Sequence, residues 1–206
     1  MKSAIKTPQK LTRNFYLKDV LHVARNLLGK ILVREINGQI LSGRIVEVEA
    51  YDGSMDEASH SFKGKTKRNE VMFGPKGYLY VYFTYGMYFC CNVVTGKDDS
   101  AGRAVLIRAI EPLNGIEQMA EFRFKKRNIS NKELLNLSNG PGKVCLAMNI
   151  TKSENGIDLL GDSGYILNEK NIPDEKIVIT KRIGISKSAE LPWRFYIKNN
   201  PFVSKK

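Results

Sequence analysis

The sequence predicts one α+β domain built mainly from antiparallel strands. Three observations predict it. The chain has 206 residues, 42% of them hydrophobic, with no repeat, low-complexity tract or linker to divide it, which suits a single core. Short aromatic and β-branched runs recur between Gly-containing turns that suit hairpins. Helical periodicity is confined to a few stretches between those runs. The expected organisation is a loose basic arm over 1–14 and a single domain over 15–206.

Leu17, Val20, Leu21, Ala24, Leu27 and Leu28 recur at helical spacing and Gly29 supplies a stop, so 17–28 reads as the first helix. Strands follow at 31–36 and 40–51, joined through Asn37-Gly38, a hairpin signal. On the second strand Val46, Val48 and Ala50 point one way, and Glu47, Glu49 and Tyr51 the other. A polar loop over 52–69 carries His60 and the basic run Lys63, Lys65, Lys67, Arg68. Residues 78–84 and 88–94 read as aromatic strands turning at Tyr85-Gly86-Met87. Residues 104–109 read as a buried strand with Arg108 near its C-terminal end, and Glu111-Pro112 as the opening of a helical stretch ending near Arg127. Asn139-Gly140-Pro141 reads as a cap with proline in the first turn of a helix through Met148. Short strands return at 165–167, 176–179 and 194–197.

Lys and Arg number 33 against 21 Asp and Glu, a formal net charge of +12. That surplus points to a polyanion, either nucleic acid or an acidic membrane face. Residues 77–96 carry no charge and are long enough to span a bilayer. However, Tyr78, Tyr80, Tyr82, Tyr85 and Tyr88 would place phenols through its centre, where they do not belong. A soluble protein is expected. Cys90, Cys91 and Cys145 form neither a disulfide framework nor, with the histidines, a metal-ligand spacing. No metal is expected, and an intracellular, reducing setting is. The opening MKSAIKTPQK has no apolar core of a secretory signal.

Five of the nine tyrosines fall between 78 and 88, beside the basic loop. Tyr78, Tyr80 and Tyr82 share a face by alternation, and Tyr85 sits at the turn, where a large side chain projects. Aromatic faces flanked by cations are how proteins hold unstacked nucleotides, and a projecting aromatic can wedge between base steps. Glu49 is open to two readings, a water-activating carboxylate beside Tyr51 or a solvent-facing glutamate on an amphipathic strand. Glu47, on the same face, leaves a carboxylate pair open as well. His22 falls beside the stripe of the first helix and reads as structural. His60 reads as a ligand-bonding group. Asn92 reads as a buried polar group needing a partner, and Arg108 as a partner for a carboxylate or an anionic ligand.

Five segments in one order carry a resemblance: GRIVEVEAYDGSMDEASHS (43–61), RNEVMFGPKGYLYVYFTYGMYFCCNVV (68–94), AVLIRAIEPLNG (104–115), NGPGKVCLAMNI (139–150) and RFYIKNNPFVS (194–204). Together they resemble the alkyladenine (3-methyladenine) DNA glycosylases of the single-domain type without a helix-hairpin-helix. The resemblance implies a curved sheet with surrounding helices and a protruding hairpin. It implies a monofunctional enzyme that flips alkylated or deaminated purines, such as 3-methyladenine, 7-methylguanine, hypoxanthine and ethenoadenine, out of duplex DNA. In it Glu49 matches the general base, and Arg108 a residue near the catalytic water or the sugar phosphate. Tyr51 and Tyr82 match walls around the flipped base, with His60 beside them, and Asn92 a residue that excludes guanine. Tyr85 matches the wedge and Met72 part of the DNA-facing rim. Lys63, Lys65, Lys67 and Arg68 are the expected phosphate contacts. No cofactor is implied, and the expected state is a monomer acting on DNA in a cytoplasm or nucleus. Two other classes stay open on the residues alone, a non-catalytic nucleic-acid-binding protein and a small-molecule hydrolase with a basic surface.

Overall fold

The Asn37-Gly38 turn behaves as its residues dictate. Both have positive φ, 50° and 75°, which matches the right-handed twist of the strands they join. Those strands are β1 (Ile31–Ile36) and β2 (Gln39–Asp52), paired antiparallel from Ile36↔Gln39 to Ile31↔Arg44. The computed structural model describes residues 9–205. The further strands are β3 (Leu79–Thr84), β4 (Tyr88–Val94), β5 (Arg103–Asn114), β6 (Gly164–Leu167), β7 (Ile177–Thr180) and β8 (Arg194–Ile197). They form one curled antiparallel sheet of order β3-β4-β5-β2-β1-β6, with β8 paired to both β2 and β7. The helices are α1 (Arg13–Tyr16), α2 (Val20–Leu27), α3 (Ile116–Phe124), α4 (Asn131–Leu135) and α5 (Pro141–Ala147). This is the α+β class the sequence predicts.

β2 is the organising strand. Its first half pairs with β1, and at Glu47–Glu49 that edge passes to β8. On its other side it runs along β5, where the pairing steps from Ile45↔Ile110 to Glu47↔Ala109 and then to Val48↔Ile107. The register therefore skips Val46 on β2 and Arg108 on β5. Bulges re-aim side chains in this way. Ile45, Val48 and Ala50 face the main core with α2 and α5, whereas Val46 packs in a separate cluster with Ala109, Phe202 and Val203. The simple alternation expected for Val46, Val48 and Ala50 fails at this bulge.

Several other expectations need correction. The first helix starts at Val20 rather than 17, because the Asp19 carboxylate accepts from the Leu21 and His22 N–H groups and caps it there. Leu17 is left exposed, as is His22. β5 runs on through Glu111-Pro112 to Asn114, and the helix begins only after Gly115 (φ 72°). Pro112 is tolerated because it faces Gly43 at a register shift, and bulges accept proline. The short helix α4 was not expected, although Ser130 and Glu133 form a capping box. Residues 1–8 of the expected arm lie outside the described residues. Residues 10–13 are tied down: Lys10 bridges Leu167, Leu11 is buried, and Arg13 meets Asp158 at 2.6 Å. The uncharged stretch 77–96 is the β3–β4 hairpin with its flanks. Among the described residues no helix is long and apolar enough to cross a membrane.

Candidate active site

The Glu47–Tyr51 end of β2 shows why alternation alone misleads. Glu47 and Glu49 do share a face, but that face is covered by β8 and by residues 183 and 204, and both carboxylates are fully buried. Buried carboxylates need partners, and each has a different set. Glu47 accepts from Arg108 Nε at 2.9 Å, Arg194 Nε at 2.7 Å, and Ser204 through N at 2.6 Å and Oγ at 2.8 Å. Glu49 accepts from the Ile183 N–H at 2.7 Å and the Tyr51 hydroxyl at 2.9 Å, and Arg108 Nη1 lies 3.2 Å from its Oε2. An ionised carboxylate has about four acceptor sites. Glu47 accepts four hydrogen bonds, three on Oε1 and one on Oε2, whereas Glu49 accepts two, one on each oxygen, beside the Arg108 ion pair. The two carboxylates therefore differ in surroundings: Glu49 is bonded to Tyr51, and Glu47 to Arg108, Arg194 and Ser204.

Arg108, at the register skip on β5, faces both carboxylates with one guanidinium. Burial works against its charge, but Glu49 and then Glu47 outweigh it and raise its pKa. It lies in mid-strand, not near a strand end as expected from the shorter reading of β5.

Next to this ion-pair cluster is a cavity of about 180 Å³ lined by Tyr51, His60, Tyr80, Tyr82, Tyr85 and Asn92, among others. Cavities of roughly 150 Å³ hold a benzene ring, so it suits one flat aromatic group. Glu49 stands one hydrogen bond behind its wall, through Tyr51. His60 Nδ1 is 3.0 Å from the Tyr80 hydroxyl, and its ring meets Tyr82 edge-on at 4.5 Å between centroids. Desolvation by these rings, and then the Arg68 charge, lower the His60 pKa to about 4, although part of the residue stays open to solvent. Burial, and then the Glu49 carboxylate, lift the Tyr51 phenol far above its usual range. Asn92 is buried and donates to the Tyr80 carbonyl at 3.2 Å, so the expected partner is backbone.

Tyr85 is 81% exposed, at φ 51° ahead of Gly86 at 68°. It projects from the hairpin tip as predicted. Lys63, Lys65, Lys67 and Arg68 are all exposed, and the Arg68 guanidinium lies 5.8 Å from the Tyr82 ring centroid. Met72 is misplaced by the sequence reading: it is 2% exposed, packed with Tyr80, Val94 and Ala104, and forms part of the cavity wall rather than an outer rim. Its short 3-10 helix, Glu70–Phe73, turns the side chain inward.

A family model described as methylpurine-DNA glycosylase matches residues 14–201. The chain belongs to the methylpurine-DNA glycosylase family. Its relatives include a protein of Alkaliphilus oremlandii, 53% identical over 96% of this chain and 100% of its own length. Another, from Clostridium perfringens, is 49% identical with the same coverage. One from Carboxydothermus hydrogenoformans is 52% identical over 95% and 99%. Each bears the name "Putative 3-methyladenine DNA glycosylase".

Within this glycosylase-family chain, sequence reasoning missed three residues that hold the pocket. Arg182 is buried, pairs through two nitrogens with Asp56 at 2.5 and 2.8 Å, and stacks 4.6 Å from the Tyr51 ring centroid. Asn69 donates to the His60 and Gly64 carbonyls and accepts from the Thr66 N–H, tying the basic loop to the pocket. No local pattern marks any of them, because Asp56 and Arg182 lie 126 residues apart. On the other side of the hairpin a second cleft of about 310 Å³ shares Thr84 and Tyr85 with the first and is lined by Arg123 and Lys143. Among the described residues no cluster of three or more His, Cys, Asp and Glu could hold a metal.

Proposed function

We propose that this protein is a monofunctional glycosylase that flips alkylated and deaminated purines out of duplex DNA and hydrolyses their N-glycosidic bond. The observation that carries the reading is Glu49: a buried carboxylate with fewer hydrogen-bond donors than Glu47, one hydrogen bond behind an aromatic cavity the size of a single ring system. In this reading a water bonded to Glu49 gives it a proton as the water oxygen attacks C1′. The N-glycosidic electrons leave with the base. A base alkylated on a ring nitrogen is cationic and departs neutral, so it needs no acid, and one carboxylate with a positioned water suffices; a neutral base such as hypoxanthine or ethenoadenine departs as its anion and takes its proton from solvent water. Tyr51 and Tyr82 sandwich the flipped base with His60 beside it, and Asn92 rejects the amino group of guanine.

Flipping costs a few kcal/mol, less at a damaged pair, and Tyr85 fills the gap from its exposed tip. Lys63, Lys65, Lys67 and Arg68 bind phosphates on one side of the hairpin, with Arg123 and Lys143 on the other. Every residue in the reading comes from one chain, and the protein is read as acting as a monomer. A non-catalytic base-binding protein has no use for a buried carboxylate bonded to the back of its stacking surface, which favours the enzyme.

The test is direct. A duplex with a single ethenoadenine is incubated with the protein and treated with alkali. Strand cleavage at the lesion is expected. Tight lesion binding without any abasic site, on this duplex and on one carrying 7-methylguanine, would establish the binding protein instead.

A further inference from the structure

Glu47 is buried and accepts four hydrogen bonds, and the proposed hydrolysis gives it nothing to do. Its surroundings assign it a task. One Arg108 guanidinium meets both carboxylates: Nε on Glu47 Oε1 at 2.9 Å and Nη1 beside Glu49 Oε2 at 3.2 Å. A guanidinium is planar, so fixing Nε fixes the plane and with it the direction of Nη1. The register skip leaves Arg108 without a cross-strand partner on β2, so its aim depends on what holds Nε. Glu47 is itself held from the other side. Arg194 on β8 supplies one bond, and Ser204 supplies two, N–H and hydroxyl. Ser204 Oγ also stands 3.5 Å from Arg108 Nη2. Arg194 in turn donates to the carbonyl of Lys205. Phe202 and Val203 pack against Val46, the residue extruded at the bulge, and seat this segment.

We propose that Glu47, clamped by Ser204 and Arg194, is a positioning residue that aims Arg108 at Glu49, making the segment after β8 part of the excision machinery. This rests on the reading of Glu49 as the base. The two carboxylates and two guanidiniums balance in charge, so the clamp holds direction without adding net charge beside the base. Loosening it leaves Glu49 in place but lets Arg108 swing, broadening the geometry in which Glu49 and its water must react. Misplacement of about 1 Å in such an array can cost ~100-fold in rate.

The test uses single-turnover excision and binding of an ethenoadenine duplex by the full chain, with thermal unfolding measured in parallel. Ser204→Ala removes the hydroxyl bond. Excision per folded molecule is expected to fall ~10-fold with lesion affinity unchanged, and Ser204→Thr, which keeps the hydroxyl, is expected to restore it. Glu47→Asp keeps the charge but withdraws the anchor by one methylene, and is expected to slow excision further with the same unchanged affinity. Wild-type rates in Ser204→Ala and Glu47→Asp would overturn the proposal. So would a loss that disappears after correction for the folded fraction, because that marks Glu47 as structural only. If wild type itself leaves no abasic site, the glycosylase reading fails and this proposal, which rests on it, falls with it, an outcome distinct from wild-type rates in the variants.

Discussion

The back of the site and its mouth are built on opposite terms. At the back, β2, β5 and β8 bury Glu47, Glu49, Arg108 and Arg194 in a closed set of ion pairs. At the mouth, Tyr85 and the lysines of the 62–68 loop stand in solvent, with no such partners among the described residues. Buried charges are held in register because leaving any of them unpaired is costly. Exposed cations remain free to adapt to a partner whose phosphates arrive from outside. In the proposed reading, chemistry that needs fixed geometry is thereby assigned to the residues behind the pocket, and recognition that must tolerate any sequence to those in front.

The sharpest way to break this division is Glu49→Gln. It should lower single-turnover excision by ~10²–10⁴-fold, the usual range for a lost general base, while a gel-shift assay still shows lesion binding. Retained excision would move the base elsewhere. Next in size is Asp56→Ala, which strands the buried Arg182 guanidinium and should cost about 3–5 kcal/mol in urea unfolding. An unshifted midpoint would mean that the wall behind Tyr51 is not rigid. Tyr85→Ala belongs to the mouth. It should weaken retention of the flipped base by about 1–3 kcal/mol, as for a lost stacking aromatic, and leave thermal stability alone; a drop in stability would contradict its exposure.

Smaller again is the effect of replacing Lys63, Lys65 and Lys67 by alanine. Each lost phosphate contact should reduce the slope of log K against log salt by about 0.9, with excision from the bound state unaltered. The smallest effect belongs to His60. Its folded pKa, about 4, lies below the ordinary histidine value, so the unfolded chain takes up a proton first. The protein should lose stability as pH falls from about 6.5 towards 4, and His60→Gln should flatten that part of the Tm profile. Because the residue is partly open to solvent, the change is modest. A steeper profile in the variant would reverse the sign.

What the sequence discloses follows the same division. The mouth is legible because its signals are local. Tyr85-Gly86 sets the hairpin tip, and the lysine run is exposed as charge dictates. The back is not legible. Whether Glu49 faces water depends on Ile183, 134 residues away, and on β8. Pro112 reads as a helix opening until the bulge opposite Gly43 is known, and Met72 reads as rim until its short helix turns it inward. Period-2 patterning gives the shared face of Glu47 and Glu49 correctly, but it misses the bulge that sends Val46 to another cluster.

The handover of the β2 edge from β1 to β8 has a consequence for synthesis. β1 is made immediately before β2, so that half of the strand can pair early. The partners of Glu47 in β8 and at Ser204 follow 147 and 157 residues later. Contacts of such separation form late, after most of the loop-closure entropy has been spent. A nascent chain on the ribosome thus carries its hairpin and its cations long before the partners of Glu47 are made. In the proposed reading, an arrested product that lacks β8 and Ser204 is expected to leave no abasic site.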